Sequence, residues 1–335
     1  MAKVTMREVA KLSGVSPTTV SRALRKPDLL KAETLQRIHA AIRQTQYSYP
    51  LPPKDIQVSR AIGVLLPTTL TAAFADTLLG IQEAALQNHY TVTVGATNFD
   101  AQVERDLLER FSRDRMAGLI IAGFSLQNEP LVRRIAESAM PVIVVWETNW
   151  DQNLHYIGFD NYRAFVGLTQ YLIDLGHRRI GLVCGPFSKS KRAQRRLNGY
   201  RYALESNGIA YDPAIVYEGI PSLENGVAGF RSVMASKNQP SAVLGGADVL
   251  ALGALYEADR MGFSVPDDLS IAGFDDIPFA AYSHPPLTSM RVPAYEIGLK
   301  AVEVLVKRGE KQAGLQHHCF ETKLIVRESC APPAR

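Results

Sequence analysis

The stretch VTMREVAKLSGVSPTTVSRAL, residues 4–24, decides how this chain is read. Thr5-Met6-Arg7-Glu8 has the form of a capping box, with Thr5 accepting from the Glu8 amide and Glu8 reaching back to the Thr5 amide, so a helix opens at Met6. It runs to about Ser13 and turns Met6, Val9 and Ala10 inward. Gly14 supplies left-handed backbone for a tight turn, and Val15 is an apolar plug. Ser16 is a good N-cap and Pro17 suits the first helical position, where its missing amide costs nothing. The second helix reaches about Arg25, with Val20 and Leu24 inward and Thr18, Ser21, Arg22 and Arg25 outward. A third amphipathic stretch, 32–44, buries Leu35, Ile38, Ala41 and Ile42 at helical spacing. Two short helices around a glycine turn, the second presenting hydroxyls and arginine, form the helix-turn-helix pattern. The N-terminus of the second helix offers free amides to phosphates, and a helix about 10–12 Å across fits the major groove of B-DNA. Arg22 is placed to read guanine through two hydrogen bonds. A three-helix scaffold that binds protein is the competing reading.

Charge distribution separates the two. Residues 1–60 hold 11 Lys/Arg against 4 Asp/Glu, a net of +7, while the other 275 residues net −3. A cationic module on a near-neutral body places a polyanion at the small end. At 335 residues the chain exceeds what one core usually fills, so two or three domains are expected. The longest apolar run, 140–146, is far short of the roughly 20 residues that span a bilayer, and residues 1–12 are too polar for a signal peptide. The expectation is a cytoplasmic protein with no membrane partner. Cys184, Cys319 and Cys330 are odd in number and form no CxxC, so neither a disulfide framework nor a zinc site is indicated. His317-His318-Cys319 alternates faces if it is a strand, leaving at most two side chains for one ion. No metal and no cofactor are expected.

Residues 4–24 resemble the DNA-binding head of the lactose/galactose-repressor family of bacterial transcription regulators, and the resemblance extends over essentially the whole chain. It implies that Pro17, Thr18 and Arg22 lie where relatives contact bases, and Ser16, Thr19 and Ser21 where they hold phosphates; Thr5 and Arg25 complete the DNA-facing set. Proline offers only apolar contact, so readout falls on Thr18 and Arg22. The following segment, YSYPLPPKDIQVSRAI at 47–62, departs from the family pattern. Pro50, Pro52 and Pro53 force an extended path. Relatives carry an Ala-x-x-Leu hinge helix here, whose leucine wedges into the minor groove. That motif is absent from this sequence, the segment is about two residues shorter than usual, and Ile56 is the candidate substitute. A plain proline-stiffened spacer is the alternative.

From residue 61 onward short apolar runs alternate with amphipathic stretches, the pattern of parallel sheets covered on both faces. Strands are expected at 61–66, 91–96, 118–122 and 142–145, with helices such as 73–87 and 101–113 between them. A second set follows at 180–184, 242–245, 269–274 and 320–326. The fold class is therefore an N-terminal all-α helix-turn-helix domain followed by an α/β core of two doubly wound parallel-sheet lobes. The resemblance implies that this core is periplasmic-binding-protein-like, with crossings between lobes near 161, 291 and 320. The expected division is 1–47 for the head, 48–60 for the linker and 61–335 for the core. Lobe 1 then takes 61–161 plus 291–320, and lobe 2 takes 162–290 plus 321–335.

Ligands in such folds sit beyond the carboxyl ends of the strands. LSIAGFDDIP ends a strand in Asp275 and Asp276, with Gly273 giving the backbone room to turn. Either acid can instead serve as a cap or turn residue; the resemblance favours Asp275 as the one that contacts an effector. RRLNGY matches the family's Arg-x-x-Gly at Arg196, whose guanidinium forks onto ligand oxygens, while Arg192 and Arg195 are expected to be solvated. Phe74, Glu147, Asp160 in IGFDN and Asp248 in GADVLALG complete the effector-binding candidates. Pro221 stands where relatives often place an aromatic ring, and Ala247 where a polar side chain is commoner.

HExxH, Walker A, GxGxxG and GxSxG are all absent, so no catalytic residue is assigned. The reading is a sequence-specific transcriptional regulator, a repressor and not an enzyme, whose operator affinity responds to a sugar or sugar acid. Within the family, SRAIGVLLP, FADTLLGIQ and GFDN resemble the gluconate-utilisation repressors. Two rivals are a sugar-metabolising enzyme with an appended DNA-binding head, and a regulator responding to a purine or other metabolite. A homodimer on a near-palindromic operator, with half-sites about 34 Å apart, is expected. No heptad repeat follows ETKLIVRES, which favours a dimer over a tetramer.

Overall fold

The computed structural model describes residues 5–25, 30–45, 47, 60–69, 71–138, 140–148, 154–309 and 315–333. The chain divides into two compact units, Met1–Pro53 and Lys54–Arg335. The proline-rich stretch 48–59, and with it Ile56 and the question of a hinge helix, lies outside the described residues.

The first unit holds α1 (Met6–Ser13), α2 (Pro17–Arg25) and α3 (Ala32–Thr45). Gly14 adopts the left-handed conformation at φ 67° and its amide returns to the Ala10 carbonyl, which closes α1 and aims the chain into α2. Val9, Ala10, Val20, Ala23, Ile38, Ala41 and Tyr47 form the core, with Met6, Val15, Leu24, Leu35 and Ile42 packed around it.

The second unit contains two six-stranded sheets. One is built from β1 (Ala61–Leu66), β2 (Thr91–Ala96), β3 (Gly118–Ile121), β4 (Val142–Val145), β5 (His155–Phe159) and β11 (His317–Phe320), in the order β11-β5-β4-β3-β1-β2. Every pairing is parallel, with Ile62 opposite both Val92 and Gly118. Helices α4 (Ala72–Gln87), α5 (Ala101–Arg113), α6 (Glu129–Glu137) and α12 (Ala294–Gly309) belong to this lobe. Its central strands read GLII and VIVV and are buried throughout, because a parallel sheet covered on both faces needs continuous apolar runs.

The other sheet has the order β12-β10-β9-β8-β6-β7. Its strands are β6 (Ile180–Cys184), β7 (Val216–Glu218), β8 (Ala242–Gly245), β9 (Ser270–Asp275), β10 (Thr288–Arg291) and β12 (Lys323–Ile325). All pairings are parallel except β10 with β12. The accompanying helices are α7 (Asn161–Asp174), α8 (Lys191–Ser206), α9 (Leu223–Met234), α10 (Asp248–Arg260) and the short α11 (Pro278–Tyr282). The single late strand expected at 320–326 is two strands in different sheets. Phe320 ends β11 beside β5 in the first lobe, and after two intervening residues Lys323 begins β12 against β10 in the second. The chain also passes from β5 into α7, and from β10 into α12, so three segments join the lobes.

Candidate functional site

In the helical unit, Ser16 caps α2: its hydroxyl accepts from the Thr19 amide at 3.1 Å and lies 2.8 Å from the Thr19 hydroxyl. Ser16, Pro17, Thr18 and Arg22 are exposed, Thr19 and Ser21 are half-buried, and the Arg25 side chain lies outside the described residues. Thr5 is committed locally, since its amide and hydroxyl both donate to Glu8, which holds the Glu8 carboxyl below its ordinary range. The unit thus presents the N-terminal half of α2, with its hydroxyls and one long cation, to solvent. A face of this kind holds phosphates with its hydroxyls and reaches base edges with the cation.

The large unit has a cleft at the carboxyl ends of β4, β6, β8 and β9, with an empty volume of about 510 Å³ including its mouth. Thr71 and Phe74 at the start of α4, and Trp146 after β4, line it from the first lobe. The second lobe contributes Pro186, Arg192 and Arg196 of α8, Pro221, Ala247, and Asp275 at the end of β9. Two lining residues begin a chain of rings that continues into the core: Phe74 to Trp146 at 4.9 Å, Trp146 to Phe159 at 5.7 Å, and Phe159 to Phe274 at 5.9 Å between centroids. The Arg196 guanidinium lies 4.0 Å above the Phe274 ring, and that of Arg192 lies 5.3 Å from Phe74. Arg196 donates through Nε to Asn161 Oδ1 at 2.9 Å and through Nη1 to the Gly246 carbonyl. These bonds fix the guanidinium plane at the cleft wall. Three cleft residues have left-handed backbone unusual for their side chains, Phe99 at φ 58°, Trp146 at φ 68° and Asp275 at φ 116°. Strain of about 1–3 kcal/mol at each is the kind that binding sites store.

The sequence candidates separate into two groups. Phe74, Arg196 and Asp275 surround the cleft. Glu147 is buried just behind it; a Cβ on Gly123 would meet its Oε1 at 2.6 Å and Arg192 Cζ at 3.7 Å, so the carboxyl and the guanidinium crowd the same glycine. Asp160 and Asp248 lie outside the cleft lining. Asp160 caps α7, accepting from the Tyr162 and Arg163 amides and from Arg195; burial raises its pKa, but these donors outweigh it and hold the carboxyl below the usual range. Asp248 is fully buried and accepts from the Ser289 hydroxyl at 2.6 Å and the Ile277 amide at 2.8 Å, which clamps the turn after β9. Gly273 has a different reason from the one expected: a Cβ there would lie 2.1 Å from Asp248 Oδ1, so it makes room for that clamp. The turning is done by Asp275 and Asp276, both with positive φ. Asp276 is taken by Arg291 and Arg327, each at 2.7 Å.

Arg192 was expected in solvent and is 7% exposed inside the cleft. The overlooked signal is its spacing, one helical turn before Arg196 on the same face. Trp146 was also overlooked, although it directly follows the run VIVV. Burial pushes the Asp275 carboxyl up to about 8 despite Arg196, and raises Glu147 despite Arg192. His317 stacks on Tyr156 at 6.0 Å, whereas His318 meets Phe320 edge-on at 4.3 Å. Among the described residues no His, Cys, Asp and Glu cluster is able to hold a metal ion, and no helix is long and apolar enough to cross a membrane.

Comparison with known proteins places both units. Residues 5–49 match the bacterial regulatory proteins of the lacI family, and residues 169–330 match the periplasmic binding protein-like domain. The transcriptional repressor CytR of Escherichia coli K12 is 32% identical over 328 residues, 97% of this chain and 96% of that protein. The chain belongs to the LacI family. The ribose operon repressor of Haemophilus influenzae is 31% identical, covering 91% of each chain. The solved complex of the transcriptional regulator CelR with cellobiose superposes with a TM-score of 0.74 at 25% identity, over 97% of this chain and 99% of that one. This LacI-family protein is therefore a DNA-binding transcriptional regulator with an effector-binding domain, and not an enzyme.

Proposed function

We propose that this regulator is a cytoplasmic repressor that acts as a homodimer and binds its effector, a sugar or sugar acid, in the cleft between the two lobes. The division proposed is head 1–47, linker 48–60 and core 61–335. The observation that carries the effector reading is the convergence of Arg196, Asp275 and Phe74 on one cleft, where a guanidinium, a carboxyl and a ring face suit the polar edges and apolar faces of a polyhydroxylated molecule. The names of two relatives, one controlling a ribose operon and one bound to cellobiose, support the same class. For the dimer, support comes from exposed apolar side chains on both lobes: Leu79 and Leu86 on α4, Val94 on β2, and Tyr256, Phe279 and Tyr282 on α10 and α11. A second copy covers such a surface when its twofold axis also sets two heads on one operator.

Two substitutions separate the functions. Arg22→Ala is expected to lower operator affinity by about 1–3 kcal/mol and relax sequence preference, with effector binding retained. Arg196→Ala is expected to leave the operator complex in place and abolish its response to effector. Operator titrations with and without ligand, alongside calorimetry, read both. An Arg196→Ala protein whose operator affinity still shifts normally with ligand refutes the cleft assignment.

A further inference from the structure

Arg192 and Arg196 are buried cations with Glu147 and Asp275 in their neighbourhood. Among the described residues neither forms an ion pair with a carboxylate, and the two acceptors that Arg196 does have, Asn161 Oδ1 and the Gly246 carbonyl, are uncharged. Arg192 is 93% buried by its 7% exposure, and its Nη1 has no hydrogen-bond partner among the described residues. Thr71 Oγ1, from the first-lobe wall of the same cleft, is buried without a partner among the described residues. Proteins pair their buried charges and satisfy their buried polar groups, so an unpaired guanidinium nitrogen and an unpaired hydroxyl lining one cavity mark groups that something binding there would satisfy.

We propose that the effector carries a carboxylate and that Arg192 is the residue that holds it, so the cleft selects an acid over the neutral sugar of the same skeleton. This rests on the cleft being the effector site. Three features favour a carboxylate. The guanidinium fork presents parallel N–H donors that match the two oxygens of a carboxylate; a phosphate, which the same fork also binds, is the rival anion that the test separates. Of the two cations, Arg196 has already spent two nitrogens on the protein, leaving Arg192 as the free fork. Of the acids of the site, burial raises the pKa of Glu147 despite Arg192 and lifts that of Asp275 to about 8, which weakens what Asp275 offers as a negative partner at neutral pH. In its protonated form Asp275 also donates a hydrogen bond, which a hydroxy acid accepts. The Phe74 ring beneath Arg192 leaves the edge of the guanidinium free for the ligand.

The test uses the full chain. Thermal-shift and calorimetric titrations compare four-, five- and six-carbon aldonates, D-gluconate among them, with the polyols of the same skeletons and with glucose 6-phosphate. At least one aldonate is expected to stabilise the protein where its polyol at equal concentration does not. In Arg192→Gln the affinity for that aldonate falls at least about 30-fold, and Arg192→Lys, which keeps the charge and loses the fork, is intermediate. Without ligand, Arg192→Met melts at or above the wild-type midpoint, because removing an unpaired buried charge relieves the folded state. A ligand-free Arg192→Met protein that melts several degrees lower overturns the proposal, since the guanidinium then has a partner inside the protein. So does an aldonate panel without response, a response to the phosphate alone, or an Arg192→Gln protein with unchanged affinity. A neutral sugar whose binding is lost in Arg196→Ala but kept in Arg192→Gln refutes the carboxylate and leaves the cleft standing. A ligand kept by both variants refutes the cleft reading itself.

Discussion

Asp275 shows how one residue couples position to ionisation. It ends β9 with a positive φ, faces the cleft, and burial lifts its carboxyl from the usual range to about 8, with Arg196 pulling the other way and Asp248 adding to the rise. Its folded pKa therefore lies above its unfolded value of 3.8. Between these two values the folded state binds the extra proton, so the contribution to stability is complete below about pH 4 and is lost as pH rises toward about 8. Asp275→Asn has nothing to lose over that window. Its melting midpoint is expected to gain on wild type from pH 5 to pH 8, by about 2–4 °C for each kcal/mol involved, and then to run parallel above pH 8. Midpoints that track each other from pH 5 to 8 would falsify the buried, protonated carboxyl. The same residue marks what was legible in the site. Asp275 stood out at a strand end, and the family resemblance pointed to it, to Arg196 and to Phe74; the structure brings all three to the lining of one cleft. Asp160 and Asp248 were misread because a carboxylate that caps amides looks, in a sequence, like one that awaits a ligand. Arg192 was missed because a run of four basic residues in KRAQRR reads as solvated until the helix face is known.

Secondary-structure elements were legible where their pattern was uniform. Ala61–Leu66 and Ile180–Cys184 read as buried strands because both faces are apolar, Thr91–Ala96 read as a strand from its β-branched residues although it lies largely exposed at a sheet edge, and the first two helices of the head carry their own cap residues. Strands β5, β7 and β10 escaped: HYIGF mixes histidine and glycine, VYE has only three residues at a sheet edge, and TSMR is polar in composition although Thr288 and Ser289 are fully buried. What sequence pattern does not state is how closely two helices approach. Gly80 of α4 and Gly298 of α12 face each other so tightly that a Cβ on Gly80 would lie 2.2 Å from the Tyr295 carbonyl, and one on Gly298 2.2 Å from the Thr77 carbonyl. Both obstacles are backbone, which cannot rotate away. Gly298→Ala is expected to cost at least about 1–3 kcal/mol by forcing the helices apart, read as a lower denaturation midpoint of the full chain. An unchanged midpoint means that α4 and α12 separate without penalty.

At the scale of the whole molecule, one head contributes only a few base contacts, because α2 is nine residues long and exposes a single arginine with described side chain. Each good bidentate contact discriminates by about 1–3 kcal/mol, which is too little to pick one operator from a genome. The proposed homodimer would solve this through effective concentration, since its second head binds as an intramolecular event and raises affinity by about 10²–10⁴-fold without any new type of contact. That gain exists only if both heads reach their half-sites on the same face of the duplex, about 34 Å apart. Inserting five base pairs at the centre of the operator rotates one half-site to the far side while leaving every contacted base intact. The expected result is a loss of about 100-fold or more, with affinity falling to that of an isolated half-site. Breaking the exposed apolar surface with Tyr282→Asp should produce the same loss on the unmodified operator, together with a monomer in light scattering, because both changes remove the same intramolecular step. A Tyr282→Asp protein that stays dimeric and binds normally would place the contact between copies elsewhere, and an operator indifferent to the five-base-pair insertion would mean that the heads act independently.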